Sequence, residues 1–240
     1  MYTAEFAEVY ELVYGLRGKD WVAEAERLVA LIKQRSPGAA SLLDVACGTG
    51  AHLETFARLL DHVEGLEIAA PMRAVAERRL PAVTVHAGDM RDFDLGRTFD
   101  ALTCMFNSIG YLADVPEMRA AVHAMARHLA PGGVLVLEPW WFPDRFIEGY
   151  LAADAGLVEG RAVARVSHSS RDGRATRLEA RYLVGGPDGI KEFTHLHELT
   201  LFTEGEYLAA FADAGCPAEY VEGGLTGRGL FIGTRSAPVG

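Results

Sequence analysis

The chain has 240 residues, half of them apolar and 23% charged, which is the balance of a folded protein with material for one large core and disfavours both disorder and two independent domains. Its 33 acids against 23 lysines and arginines give a formal charge of −10, which repels polyphosphate and excludes nucleic acid as a partner while leaving room for a small anion held by a local arginine. Cys47, Cys104 and Cys216 are odd in number and widely spaced, Met1 to Phe6 contains no basic leader, and no run of about 18 apolar residues follows, so the expectation is a reduced, cytoplasmic protein with no membrane span.

Between Trp21 and Gln34, the residues Val22, Leu28, Val29, Leu31 and Ile32 stand among charges at helical spacing, and Ser36-Pro37-Gly38 stops the helix. A buried strand from Ser41 to Ala46 leads through Gly48 and Gly50 into a helix, Ala51 to Leu60, and a strand, Val63 to Glu67, forming a βαβ unit. The alternation continues with a helix from Pro71 to Arg79, strands Val83 to Ala87 and Phe99 to Met105, a helix from Pro116 to Leu129 and a strand from Val134 to Glu138. Strands apolar on both faces, separated by helices, predict an α/β fold with a doubly wound, mostly parallel sheet.

Beyond Pro139 the pattern changes. Ala162 to His168, Thr176 to Val184 and Glu192 to Leu201 read as three antiparallel strands with turns at Arg171-Asp172-Gly173 and Gly185 to Gly189. Residues 157–202 are therefore expected to form an inserted antiparallel lobe within a single domain spanning residues 1–240. Thr203 with Glu206 makes a capping box opening a helix to Ala214, and strands Ala218 to Glu222 and Gly229 to Thr234 complete seven strands.

The strand, glycine turn, helix and second strand ending in Glu67 form the arrangement that binds an adenosine-containing cofactor at the carboxyl edge of such a sheet. Gly48 lets the backbone approach the ligand, and Glu67 can accept two ribose hydroxyls. A dinucleotide would require glycine at position 53, which is Leu53. Asp44, Gly88-Asp89-Met90 and Met105 instead suit a cofactor with an amino-acid tail and no phosphate, Asp89 holding the adenine amino group and Met90 and Met105 packing the ring. The alternatives are an ordinary glycine turn and a nicotinamide cofactor.

These residues resemble the class I methyltransferases. Arg17-Gly18-Lys19-Asp20, Leu42 to Gly50, Gly88 to Phe93, Glu138 to Pro143, Arg165 to Ser169 and Gly227 to Phe231 resemble a narrower group across nearly the whole chain. That group is the N,N-dimethyltransferases of dTDP-linked amino sugars such as desosamine and mycaminose in macrolide antibiotic biosynthesis. The resemblance implies S-adenosyl-L-methionine as cofactor, a dTDP-3-amino-dideoxyhexose as substrate, and a homodimer. It implies that Tyr10, Ala46, Glu67, Asp89, Met90 and Met105 line the cofactor pocket. It places Tyr2, Trp21, Trp140, Pro143, Asp144, Arg145, Arg165, Val166, Ser167, His168, Ser169 and Arg228 near the nucleotide sugar. The chain departs from the group at Asn107 and Thr226, where serine is expected.

The residues supply their own tests of this implication. Trp140-Trp141, just past the fifth strand, suits an aromatic wall for thymine or hydrophobic glue between sheet and lobe. Arg165, Ser167 and Ser169 alternate along a strand and share a face that could meet a diphosphate or simply solvent, with His168 facing away. Arg228 lies between glycines that allow a ligand close to the backbone. His195 and His197 share a strand face but lack a predictable third ligand, so no metal is expected, and His123 and His128 read as surface residues. Methyl transfer to a neutral amine needs in-line geometry more than a base, so Tyr111, with Tyr2 second, is expected to orient the amine. The rival functions are a methyltransferase for another small molecule, a nicotinamide oxidoreductase and a catalytically silent cofactor-binding protein.

Overall fold

The computed structural model describes residues 3–236. Thr3 accepts the Phe6 amide and opens α1 (Ala4–Leu16), whose Phe6, Val9, Tyr10, Val13 and Tyr14 form one buried face. Asp20 caps α2 (Trp21–Arg35) through the Ala23 amide. Then follow β1 (Ser41–Val45), α3 (Ala51–Leu59), β2 (His62–Glu67), α4 (Ala70–Arg79), β3 (Thr84–Ala87), β4 (Phe99–Cys104), α5 (Val115–Arg127) and β5 (Leu129–Leu137). A second group, β6 (Leu151–Val158), β7 (Arg161–Asp172), β8 (Ala175–Gly186) and β9 (Gly189–Thr200), precedes α6 (Glu204–Asp213), β10 (Ala218–Val221) and β11 (Leu230–Thr234).

The main sheet has seven strands in the order β10-β11-β5-β4-β1-β2-β3. Strands β1 to β5 are parallel, and β11 runs antiparallel between β5 and β10. Leu28, Ile32 and Phe56 pack on one face and Met118, Val122 and Phe211 on the other, which is why its central strands are apolar on both sides. The chain runs outward from β1 to β3 and then returns to β4 on the far side of β1. That reversal opens a crevice beyond the carboxyl ends of β1 and β4. Gly65 in β2 lets the turn after β1 pack down, since a Cβ there would stand 2.7 Å from Cys47 Sγ. The capping box forms as expected, with Thr203 Oγ1 accepting the Glu206 amide and Glu206 Oε2 accepting the Thr203 amide.

The antiparallel sheet has four strands in the order β6-β7-β8-β9 and begins at Leu151, ahead of the expected boundary at 157. Its first strand, LAADAGLV, is rich in alanine and glycine, residues depleted from strands, and is held by pairing with β7 along its length. Helix α1, also absent from the expected elements, is clamped between this sheet and the main domain. Phe6 packs on Tyr182 and His195 of the inner face, while Ala69, the residue before α4, and Met72 of α4 join the same cluster. His128 corrects the surface assignment: it is 2% exposed, Nδ1 donates to the Ala124 carbonyl at 2.7 Å, and Nε2 accepts the Leu95 amide at 3.0 Å.

Candidate active site

The crevice at the switch point has two lobes that share Ala46. The larger, about 180 Å³, is walled by Leu66, Ile68, Gly88, Asp89, Met90 and Tyr111 among others. The smaller, about 40 Å³, is walled by Tyr10, Trp21, Asp44, Gly48, Met105 and Phe106 among others. Ala46, Phe106 and Asn107 have left-handed φ angles of 57°, 54° and 55°, so the chain is bent sharply where it leaves β1 and β4. Such conformations cost energy outside glycine and concentrate at functional sites.

Glu67 ends β2 behind this wall, between Leu66 and Ile68. Its Oε2 accepts the Gly48 amide at 2.9 Å and its Oε1 the Ala69 amide at 2.7 Å. Each oxygen keeps acceptor capacity for a ribose hydroxyl. Burial holds the carboxyl above the usual carboxylate range against the pull of those two amides. Asp44 is 2% exposed and accepts the Thr103 hydroxyl at 2.7 Å. Burial pushes its pKa up to about 6, with nearby Glu67 adding to the rise. Arg91, the cation on the wall of the larger lobe, is already taken by Asp89 at 2.6 Å and Glu117 at 2.5 Å. The trough therefore offers acids for hydroxyls and an ammonium, and no open cation for a phosphate, which fits S-adenosylmethionine and not a dinucleotide.

Because the folded pKa of Asp44 lies above its ordinary 3.8, this group favours the fold most below that value. The advantage is lost as pH rises through about 6, where the buried charge forms. Asp44→Asn is thus expected to stabilise the ligand-free protein at pH 8 by about 1–2 kcal/mol, with the gain shrinking at pH 5, while weakening cofactor affinity. Urea unfolding at the two pH values and cofactor titration check both halves.

Trp21, expected near the nucleotide sugar, sits in the smaller lobe beside Tyr10 and Phe106. The Lys19 ammonium lies 4.2 Å from the Phe106 ring and 4.7 Å from the Trp21 ring. It pairs with Glu24 at 2.5 Å, and Glu24 also holds His52 at 3.1 Å. Burial draws the Lys19 pKa down. The signal was the Arg17-Gly18-Lys19-Asp20 turn between two helices, which carries a lysine whose partners only the folded chain brings together.

On the other side of the crevice, Trp140 is buried and its indole N–H donates to Thr176 at 3.1 Å, so it does join sheet to lobe. The Arg228 guanidinium lies 5.3 Å from both the Trp140 and Trp141 rings, donates to Thr226 at 3.1 Å and stands 3.6 Å from Glu138, which is fully buried. Arg165 is 3% exposed and reaches Asp154 at 3.4 Å, as Arg17 does at 3.1 Å. The Nε atoms of Arg165 and Arg228 are buried and make no hydrogen bond among the described residues. Tyr14 lies in the electrostatic range of all three arginines, which pull its acidity against the opposing effect of burial.

Arg165, Ser167 and Ser169 share the inner face of β7 as expected, and all three are buried. Val166 and His168, expected near the nucleotide sugar, lie instead on the opposite face of β7 and are exposed. Asp144 and Arg145 are exposed, with Arg145 paired to Glu222 at 2.9 Å, and the Pro143 carbonyl accepts from Arg171 at 2.8 Å. Tyr111 bonds His197 through its hydroxyl. Tyr2 lies outside the described residues. Among the described residues no cluster of histidine, cysteine, aspartate or glutamate has metal-holding geometry, and no helix is long and apolar enough to cross a membrane.

A doubly wound sheet whose switch point carries two buried acids and no phosphate clamp defines a class I methyltransferase using S-adenosylmethionine, and residues 42–133 match the family described as Methyltransferase domain. The dTDP-3-amino-3,4,6-trideoxy-alpha-D-glucopyranose N,N-dimethyltransferase of Streptomyces venezuelae is 52% identical over 97% of this chain and 99% of its own length. The dTDP-3-amino-3,6-dideoxy-alpha-D-glucopyranose N,N-dimethyltransferase of Streptomyces fradiae is 54% identical over 98% and 93%. The structure of CalS10 with S-adenosylmethionine bound, an amino pentose methyltransferase from Micromonospora echinaspora involved in calicheamicin biosynthesis, superposes with a TM-score of 0.89. It shares 62% identity and covers 95% of this chain and 97% of that one. The chain belongs to the dTDP-amino-sugar N,N-dimethyltransferases.

Proposed function

We propose that the chain dimethylates the 3-amino group of a dTDP-linked amino-dideoxyhexose in the making of a deoxyaminosugar antibiotic. The observation that carries the reading is a pair of arginines, Arg165, 3% exposed, and Arg228, whose side chain is 18% exposed, with buried Nε atoms that find no hydrogen-bond partner among the described residues, in a chain of net charge −10. A buried guanidinium with spare donors suits a diphosphate. Ser167 and Ser169 beside Arg165 add hydroxyl donors, and Trp140 and Trp141 flank Arg228. Tyr10, Ala46, Gly48, Glu67, Asp89, Met90 and Met105 hold the cofactor in this reading, with Asp44 opposite its ammonium. A second reading, an amino pentose as the sugar, is favoured by the 62% identity to the amino pentose methyltransferase. Incubating the protein with labelled S-adenosylmethionine and each dTDP-amino sugar tests both: label transfer to the hexose at its 3-amino group supports the first, and transfer only to the pentose replaces it.

S-adenosylmethionine supplies the methyl group, the amine lone pair forming the N–C bond as the C–S electron pair withdraws to sulfur, leaving a thioether and an ammonium whose proton passes to water. The protein's contribution is to hold the amine in line and exclude competing geometries. Tyr111, at the mouth of the larger lobe, orients the amine, since a phenol is a poor base at neutral pH. Tyr111→Phe is expected to lower the rate less than about tenfold, roughly 1.4 kcal/mol of barrier. A loss of three orders of magnitude in steady-state kinetics would make Tyr111 the general base.

The protein works in this reading as a cytoplasmic homodimer. Leu151, Leu157, Val166, Leu183 and Ile190 are exposed on the outer face of the antiparallel sheet, an apolar surface suited to a second copy. Sedimentation should give a dimer that Leu157→Glu with Val166→Glu converts to monomer. A wild-type monomer would remove the proposal.

A further inference from the structure

Tyr111 and His197 arrive from distant parts of the chain. Tyr111 closes the 3-10 turn Ser108–Tyr111 that follows β4, and His197 lies on the inner face of β9. Their rings stand 6.0 Å apart, and the Tyr111 hydroxyl shares a hydrogen bond with Nδ1 of His197. His197 is 4% exposed, meets His195 edge-on at 4.3 Å, and His195 stacks on Phe6 at 4.5 Å. The imidazole is therefore held rigidly by packing, whereas Tyr111 stands at the cleft mouth with 38% of its surface exposed.

We propose that His197 is a positioning residue for methyl transfer, accepting a hydrogen bond from the Tyr111 hydroxyl at Nδ1 and so fixing the phenol oxygen as an acceptor for an amine N–H. The inference rests on the amino-sugar reading above. Its logic is one of donor and acceptor directions. A neutral imidazole has one N–H and one bare nitrogen. If Nδ1 carried the proton, the phenol would accept it and turn its own O–H toward the substrate, where it would engage the amine lone pair and block attack. With Nδ1 bare, the phenol donates to the ring and its oxygen accepts an amine N–H, which leaves the lone pair aimed at the methyl carbon.

An imidazolium would donate from both nitrogens and force the unproductive direction. Burial, reinforced by His195 and Arg165, lowers the His197 pKa to about 3, so that form is absent at neutral pH. The arrangement also discriminates among the successive amines. An oxygen that accepts can hold a primary or a monomethylated amine, each of which has an N–H, but a dimethylated amine offers it none. The site therefore holds its acceptor for two transfers and lets go before a third.

A mutant cycle tests the inference. His197→Leu is expected to lower kcat for both transfers about fivefold, the usual worth of one orienting hydrogen bond, with KM for the nucleotide sugar changed less than about twofold. Tyr111→Phe should show a similar loss, and the double variant should be no slower than Tyr111→Phe alone. His197→Asn, which places an amide oxygen where Nδ1 stood, should recover most of the rate, and His197→Gln, which extends past it, should not. Losses that multiply in the double variant, or an Asn variant as slow as the Gln variant at equal thermal stability, would reduce His197 to a packing residue. The Asn and Gln pair decides the case even where the leucine variant fails to fold. If wild-type protein binds S-adenosylmethionine yet methylates no dTDP-amino sugar, the functional reading itself has failed; turnover with a multiplicative cycle overturns the His197 role alone.

Discussion

Glu67→Ala is expected to weaken S-adenosylmethionine binding by at least about 100-fold, because a hydrogen bond to a charged acceptor contributes about 1.5–3 kcal/mol and the carboxylate is placed to accept two ribose hydroxyls. The same change removes the acceptors of the Gly48 and Ala69 amides. Part of the loss should therefore appear as a looser turn after β1 and a lower unfolding temperature. Glu67→Gln separates the two effects. Its amide keeps one acceptor oxygen, so it can satisfy one of the two backbone donors and one hydroxyl, and its affinity should fall between wild type and the alanine variant. Since burial raises the Glu67 pKa and the hydroxyls need the charged form, affinity should also decline toward acid pH. Calorimetric titration checks all three proteins, and an alanine variant that binds within about threefold of wild type would remove Glu67 from the cofactor site.

How much of this was legible in the sequence depended on whether the signal was local. The strand, glycine turn, helix and acid of the cofactor half lie within 41–67, and each element announces itself by period or by glycine. The capping box at Thr203 is equally local and was recovered to the residue. The alternation of Arg165, Ser167 and Ser169 gives the shared face, and the same period turns Val166 and His168 to the opposite one. Helix α1 had the spacing of a buried helix in Phe6, Val9, Tyr10, Val13 and Tyr14.

Strand β6 was hidden for another reason. Its alanines and glycine lack strand propensity, and Gly156 gives Leu16 of α1 room to pack, since a Cβ there would stand 2.5 Å from the end of that side chain. No window of sequence contains that contact. The Tyr111–His197 bond, spanning 86 residues, and the Lys19–Glu24–His52 cluster are of the same kind. Each depends on where two elements dock, and histidine reads alike in a packed face, a metal site or a surface turn. His128 is buried where the sequence suggests a surface residue, since nothing in its neighbours reveals that the Leu95 amide comes back to meet it.

Arg228→Met is expected to raise KM for the nucleotide sugar at least about 100-fold while cofactor affinity stays within about twofold, the loss of a charge-assisted contact with a diphosphate. The variant has a second consequence that must be told apart from the first. Arg228 stands 3.6 Å from Glu138, which is fully buried and otherwise accepts the Phe106 amide at 2.7 Å and the Thr226 hydroxyl. Removing the cation leaves a buried carboxylate less compensated, and breaking a buried pair costs about 3–5 kcal/mol. The unfolding temperature should fall. The double variant Arg228→Met with Glu138→Gln removes both charges and keeps an acceptor for the Phe106 amide. It should regain most of the lost stability and none of the lost KM. Recovery of KM along with stability would mean that Arg228 serves only to hold Glu138, and the diphosphate would then have to be assigned to Arg165 and Arg17.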